Sequence, residues 1–415
     1  MLKCGLLRAV VVSVSLIFVG TLPVLAQQPS QNWVSCNNEG GAVARDVQIS
    51  ACTAIITSRG ENSKNLALAY NNRGLAYYKN GDDDHAIADF NQSINLNAQN
   101  PAVFINVGNA YNEAGRYDNA ITSFNNAIMI NPKLADAFIG RGNAKIAQGQ
   151  YDLAATDFDQ AIAIDPKSVV AFDGRGTAYT REGKYDQAIA DYTQAISLDP
   201  KSAASITDRG NVYLLKQDND HAIADYTQAI GVNPQYAPAF FYRALVYGRK
   251  NDLEHSIADY TEAIRIDPQY AAAYHNRSFL YLRKGDYDRT IADLDQAIHL
   301  APKDVSSYTS RCWARVFFGR DLQAAVPDCD QSVNVARDSN AYQNRCDLNY
   351  KLQQFDGAIT DCTEALTLNP KSAGALFVRG LAKRKKGDPS ADADIAAAKA
   401  LQADVDLQYA SYGIK

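Results

Sequence analysis

RGTAYTREGKYDQAIADYTQAISLDP, residues 175–200, is one turn of a cycle that the chain repeats every 34 residues. An arginine followed by a small residue recurs at Arg73-Gly74, Arg141-Gly142, Arg175-Gly176, Arg209-Gly210, Arg243-Ala244 and Arg277-Ser278. A closing proline recurs at Pro132, Pro166, Pro200, Pro234, Pro268, Pro302 and Pro370. A fixed period of this length specifies a solenoid, whose units bury their apolar faces only against their neighbours. Function then has to lie on the surface that the units share, since no unit is large enough to hold a private pocket.

With Gly176 taken as position 8 of the cycle, position 11 is aromatic (Tyr77, Tyr111, Tyr179, Tyr213) and position 24 is aromatic (Phe90, Phe124, Phe158, Tyr192). Positions 20 and 27 are small, as at Ala86, Ala120, Ala127 and Ala161. Small residues at helical spacing let a second helix approach closely, and the aromatic rings fill the remaining space. Gly81, Gly115, Gly149, Gly183 and Gly285 stand at position 15, where a left-handed residue ends a first helix. Asp-Pro or Asn-Pro ends the second, because proline cannot continue it. The chain is therefore expected to be all-α, built from pairs of helices of about a dozen residues. Ten repeats begin at Ala67, Pro101, Ala135, Val169, Ala203, Ala237, Ala271, Val305, Ser339 and Ala373, and span 67–402. Residues 27–66 read as a worn capping repeat, because Asp46–Thr53 aligns in register with Asp356–Thr363 while Gly40-Gly41 weakens its first helix. An alanine-rich helix from Ala391 closes the other end, and 403–415 reads as a tail.

Asn72-Arg73-Gly74-Leu75-Ala76-Tyr77-Tyr78, with Ala86, Phe90 and a closing turn, resembles the tetratricopeptide repeat (TPR) pattern over about 67–402. Arginine at position 7, where that pattern usually has leucine, is a systematic departure. The resemblance implies antiparallel helix pairs stacked into a right-handed superhelix. It also implies protein or peptide binding on a concave face lined by the first helices.

Composition is that of an ordinary soluble chain, 47% hydrophobic and 21% charged, with a formal net charge of −5. No basic block appears, which argues against a nucleic-acid partner. Residues 1–26 read as a secretory signal peptide: Lys3 and Arg8 precede an apolar run, and Val24-Leu25-Ala26 supplies small residues before Gln27. An uncleaved anchor is the alternative. No later stretch approaches the roughly 20 apolar residues needed to span a bilayer. The chain is thus expected to be exported, to the bacterial periplasm, with no membrane insertion after cleavage.

Two sets of positions vary together. Arginine at position 7 and aspartate at position 23 occur in the same nine repeats, and both are missing from repeat two (Val107, Ser123) and from the worn repeat (Ser35, Ala51). Joint presence and absence point to an ion pair between the two helices of a repeat. The competing reading is a shared solvated face. Cys36, Cys312 and Cys346 fall at position 8, and Cys52, Cys329 and Cys362 at position 24 of the same three repeats. That predicts the disulfides Cys36–Cys52, Cys312–Cys329 and Cys346–Cys362. The last two brace a region where Pro327 is expected to interrupt a second helix and the register gains one residue.

No phosphate-binding glycine loop, nucleophile elbow or metal-binding histidine pair is present, so no enzyme, cofactor or metal is expected. His85, His221 and His255 share position 19, which a surface site explains. The candidate partner-binding residues lie on the first helices. Repeats two and three carry Asn106, Asn109 and Asn143, polar groups suited to the backbone of an extended peptide. Repeats six to eight carry Phe241, Arg249, His275, Phe279, Arg283, Trp313 and Phe317, of the types that concentrate binding energy. These rings could equally pack between neighbouring helices. The expected function is a non-catalytic scaffold that binds a protein or extended peptide in the cell envelope. A module binding envelope polysaccharide or peptidoglycan is the alternative.

Overall fold

The computed structural model describes residues 30–415, so the signal peptide expected at 1–26 lies outside the described residues. Among those residues the regular elements are 23 α-helices and one 3₁₀ turn, with no strand. They divide into two bodies, one up to Ala144 and one from Lys145.

The first body holds α1 (Gln31–Asn37), α2 (Arg45–Thr57), α3 (Ser63–Lys79), α4 (Asp83–Leu96), α5 (Pro101–Glu113), α6 (Tyr117–Ile130) and most of α7 (Ala135–Ala147). In the second, α8 (Tyr151–Ile164) is followed by the helix pairs of repeats four to six. These are α9 (Val169–Arg181) with α10 (Tyr185–Leu198), α11 (Ala203–Leu215) with α12 (Asn219–Val232), and α13 (Ala237–Arg249) with α14 (Leu253–Ile266). Repeats seven to nine are α15 (Ala271–Arg283) with α16 (Tyr287–Leu300), α17 (Val305–Phe318) with α18 (Leu322–Ala336), and α19 (Ser339–Lys351) with α20 (Phe355–Leu368). Repeat ten is α21 (Ala373–Lys385) with α22 (Ala391–Leu401), and α23 (Val405–Ser411) follows it.

Local signals set the ends of these helices. Ser168, Ser202 and Ser372 cap first helices, and Asp82, Asp218, Asp252 and Asp286 cap second helices, each accepting a backbone N–H three residues on. Position 15 is left-handed throughout: Gly81 (φ 75°) and Gly183 (φ 77°) occupy it, but so do Gln217 (φ 62°), Asn251 (φ 64°) and Gln353 (φ 62°). The turn is imposed by the repeat, and glycine is only the residue that adopts it at least cost.

Each pair is antiparallel. Between α3 and α4, the Ser93 hydroxyl donates to the Ala67 carbonyl at 2.7 Å while Arg73 meets Asp89, so the later residue on one helix faces the earlier residue on the other. Positions 8 and 24 are where the two helices come closest. A Cβ placed on Gly74 would lie 2.7 Å from the Phe90 ring, and one on Gly210 would lie 2.7 Å from Tyr226. The structure puts a disulfide at that same point in three repeats, Cys36–Cys52, Cys312–Cys329 and Cys346–Cys362, with Cα–Cα distances of 4.8, 5.2 and 5.3 Å.

The arginine at position 7 does more than pair with its aspartate. Eight of them (Arg73, Arg175, Arg209, Arg243, Arg277, Arg311, Arg345 and Arg379) grip the position-23 carboxylate in their own repeat through Nε and Nη2, at 2.6–2.9 Å. These arginine side chains are 14–26% exposed and the aspartates 3–12%, which rules out the solvated-face reading. The remaining Nη1 reaches back to the second helix of the preceding repeat, to Thr193 from Arg209, Thr227 from Arg243, Thr261 from Arg277 and Asp159 from Arg175. In seven repeats the guanidinium also lies over a position-4 ring one turn earlier, as Arg175 lies 5.6 Å from Phe172. Arg141 donates to Asn125 at 2.5 Å within the first body; Asp157 is in the second, 2.7 Å from Lys145 Nζ.

Two expectations need correction. Pro327 does not interrupt a helix, since α18 runs through it. The extra residue sits in the preceding turn, where Asp321 adopts φ 52° and the helix starts one position late. Residues 403–415 are not a free tail either: Val405, Tyr409 and Ile414 are buried in one cluster with Phe377, Val378 and the Cys346–Cys362 pair. The alternation of apolar and polar groups there was too short to be read as a helix.

Peptide mapping without reduction is expected to recover the three within-repeat cystine pairs, and reduction is expected to lower Tm. Each closed loop of 16 or 17 residues contributes roughly 3 kcal/mol in the chain-entropy model. Cross-repeat links would contradict the pairing.

Candidate functional site

The residues expected to bind a partner stand at positions 5, 6, 9 and 13 of the first helices. In the first body, Asn106 donates to Asn71 Oδ1 at 3.0 Å and Asn112 to the Gly140 carbonyl at 3.1 Å. These amides join neighbouring first helices. Asn109, half-buried, and Asn143, exposed, line a polar cavity of about 240 Å³ with Tyr78, Glu113 and Tyr117.

In the second body the aromatic residues separate into two kinds. Phe241 is only 9% exposed; it stacks on Tyr270 at 4.8 Å and meets the edges of Tyr242 and Tyr260 at 5.3 and 5.5 Å. Its assignment as a partner contact is therefore corrected to packing. Tyr270, from the turn before α15, covers it. Phe279 is the opposite case, 59% exposed. It stands on the rim of two cavities. One, of about 280 Å³, includes Arg249, Tyr260, His275 and Arg283. His275 bonds Ser310 Oγ at 3.0 Å, and burial pushes its pKa down, so the ring stays neutral near pH 7. Arg283 is exposed and donates to Asn251 Oδ1.

The second cavity, of about 340 Å³, lies between α15, α17 and α19, with Phe279, Trp313, Asn340, Asn344 and Asp347 in its lining and Tyr409 of α23 at one end. Trp313 and Phe317 are half-covered by Tyr412, whose ring lies 5.5 and 5.1 Å from theirs. The C-terminal segment thus runs back over the first helices: Tyr409 meets Phe377 on α21, Tyr350 on α19 donates to the Lys415 carbonyl, and Tyr412 reaches α17. The first-helix face of repeats eight to ten already holds a peptide segment, the chain's own.

Asp347 was missed from the sequence. It occupies position 9, the column of Asn109, Asn143, Phe279 and Trp313, and an acid in that column was the available signal. Its residue is fully buried, Oδ1 accepts from Gln343 Nε2 at 2.7 Å, and Oδ2 has no partner. Burial pushes its pKa up to about 8, against the lowering effects of the Gln343 hydrogen bond and the Lys351 charge. Further along the face, burial and the neighbouring Asp173 push Asp208 up to about 6. The arrangement brings together rings, amides and poorly solvated carboxyls along the first helices.

Models of the tetratricopeptide repeat match residues 67–100, 135–168, 203–236, 271–304 and 347–405, and a TPR repeat model matches 108–145, 176–216 and 247–285. Together they cover most of the chain. No curated protein matches it. Among solved structures it is similar to a tetratricopeptide repeat protein from Parabacteroides merdae, at 20% identity and a TM-score of 0.51, over 59% of this chain and 95% of that one. It is also similar to YrrB, described as a TPR protein with an unusual peptide-binding site, at 21% identity and a TM-score of 0.35, over 44% and 95% of the two chains. MamA gives 26% identity and a TM-score of 0.35, over 39% and 95%. The first of these likenesses carries the fold alone.

A carboxyl held protonated in the folded chain loses stability as pH rises from its ordinary 3.8, where the unfolded chain ionises, to about 8, where the folded one must. Asp347→Asn is therefore expected to raise Tm at pH 7.5 and to make little difference near pH 4. Melting curves of the two proteins across that range check it.

Proposed function

The chain belongs to the tetratricopeptide repeat family, and from that premise we propose that it is a non-catalytic scaffold, exported to the bacterial periplasm, that binds a protein or extended peptide along the first helices of repeats six to nine. The observation that carries this reading is Phe279. A large ring left 59% exposed between two cavities costs solvation and contributes little packing, which is expected of an interface anchor and not of a core residue. The lodging of Tyr412 between Trp313 and Phe317 supports the same use of this face by a peptide. The three cysteine pairs favour an oxidising compartment. Among the described residues no helix is long and apolar enough to cross a membrane.

Capture of partners from an envelope extract with the immobilised protein tests the reading. Phe279→Ala is expected to lose the captured protein with Tm nearly unchanged. Phe241→Ala is expected to cost roughly 3–5 kcal/mol of stability through the cavity it leaves. If Phe279→Ala keeps its partner and melts early, the ring is structural. Binding on a glycan array with no captured protein would favour the polysaccharide alternative.

A further inference from the structure

We propose that the cavity between α15, α17 and α19 is a guanidinium pocket, which takes an arginine side chain of the bound peptide against the carboxylate of Asp347. This rests on the peptide-binding reading and adds the chemistry of the bound residue.

Three observations converge. The first is the unpartnered Oδ2 of a wholly buried aspartate in the lining of an otherwise open cavity. A buried acceptor without a donor is costly, and a fixed surrounding gives the chain no means of satisfying it. Lys351, one turn further along α19, would be the obvious internal donor, yet its Nζ is turned to the Val316 carbonyl on α17. Tyr409 on α23 is the other titratable group facing the carboxyl. The second observation is the pair of rings beside the carboxyl, Trp313 and the exposed Phe279. Aromatic faces attract a cation, and a planar guanidinium can lie flat against them where an ammonium cannot. The third is the set of acceptors on the same face of α19. Asn340, Asn344 and Asp347 recur at helical spacing and all line the cavity. Five N–H donors in a fixed fork need several acceptors besides one carboxylate, and a lysine would leave part of that set unused.

Burial favours the neutral acid at Asp347. Entry of a cation favours the carboxylate, so its proton leaves to solvent as the ion pair forms. A site that is destabilising when empty and satisfied when filled accounts for a buried acid whose second oxygen no internal contact satisfies.

The test uses the mature chain carrying Trp33→Phe, so that Trp313 is the sole fluorophore of its kind, and two synthetic peptides. One is a nine-residue alanine and serine peptide with a leucine and one central arginine; the other replaces the arginine by citrulline, a neutral isostere. The arginine peptide is expected to bind about tenfold or more tightly than the citrulline one. Asp347→Asn, which is expected to fold at least as well, should remove the preference and bring the arginine peptide to the same affinity as the citrulline one. Equal binding of the two peptides, weakened for both by Phe279→Ala, would overturn the guanidinium pocket while leaving peptide binding intact. An unchanged arginine preference in Asp347→Asn would overturn it as well. Absence of binding by either peptide would also overturn it, and the extract capture then decides whether the broader reading falls too.

Discussion

The arginine at position 7 is the interaction on which the array depends. A guanidinium has five donors in one plane, and this chain uses that plane to join three helices. Two donors hold the aspartate of the second helix in the same repeat, and a third reaches the second helix of the repeat before, as Arg209 joins Asp225 and Thr193. The aspartate is nearly dry, 8% exposed for Asp225, so its charge is tolerable only while the arginine is in place. In a solenoid, stability is a sum of repeat terms and neighbour terms. Here one side chain contributes to both.

Where that tie fixes the spacing of a pair, the contact beside it has little freedom. Position 8 must be small because a ring, or in two repeats the aliphatic Leu294 or Ile395, packs against it from the second helix, and in three repeats a disulfide replaces the two. The bridge next to it is not disturbed: beside the Cys346–Cys362 pair, Arg345 still holds Asp361 at 2.7 and 2.9 Å. Both devices lie between the helices of a pair. They leave the other side of the first helices free to differ from repeat to repeat. Position 9 illustrates the result, running through Asn109, Asn143, Phe279, Trp313 and Asp347 on one unvarying scaffold.

How much of this was legible in the sequence follows from how local each feature is. The period, the left-handed position 15, the arginine–aspartate pairs and the cysteine pairs all recur in register, so comparison of repeats reveals them. Gln217, Asn251 and Gln353 show that even the turn without glycine obeys the period. What was not legible depends on contacts that occur once. Phe241 and Phe279 have the same chemistry, and the rings of Tyr242, Tyr260 and Tyr270 around the first decide that one is core and the other surface. Asp347 became informative only when its neighbours were known, including Tyr409, from a distant segment that no repeat predicts. Pro327 marked an irregularity correctly, but the helix absorbed the proline and the turn at Asp321 took the extra residue.

The central claim is that the buried arginine–aspartate bridge holds together the helix pairs of the repeats that carry it. A double-mutant cycle on Arg209→Met and Asp225→Asn, read from urea midpoints, tests it most directly. The account predicts that each single change costs about 3 kcal/mol and that the two couple by more than ~1 kcal/mol. Additive effects, with coupling near zero, would contradict it.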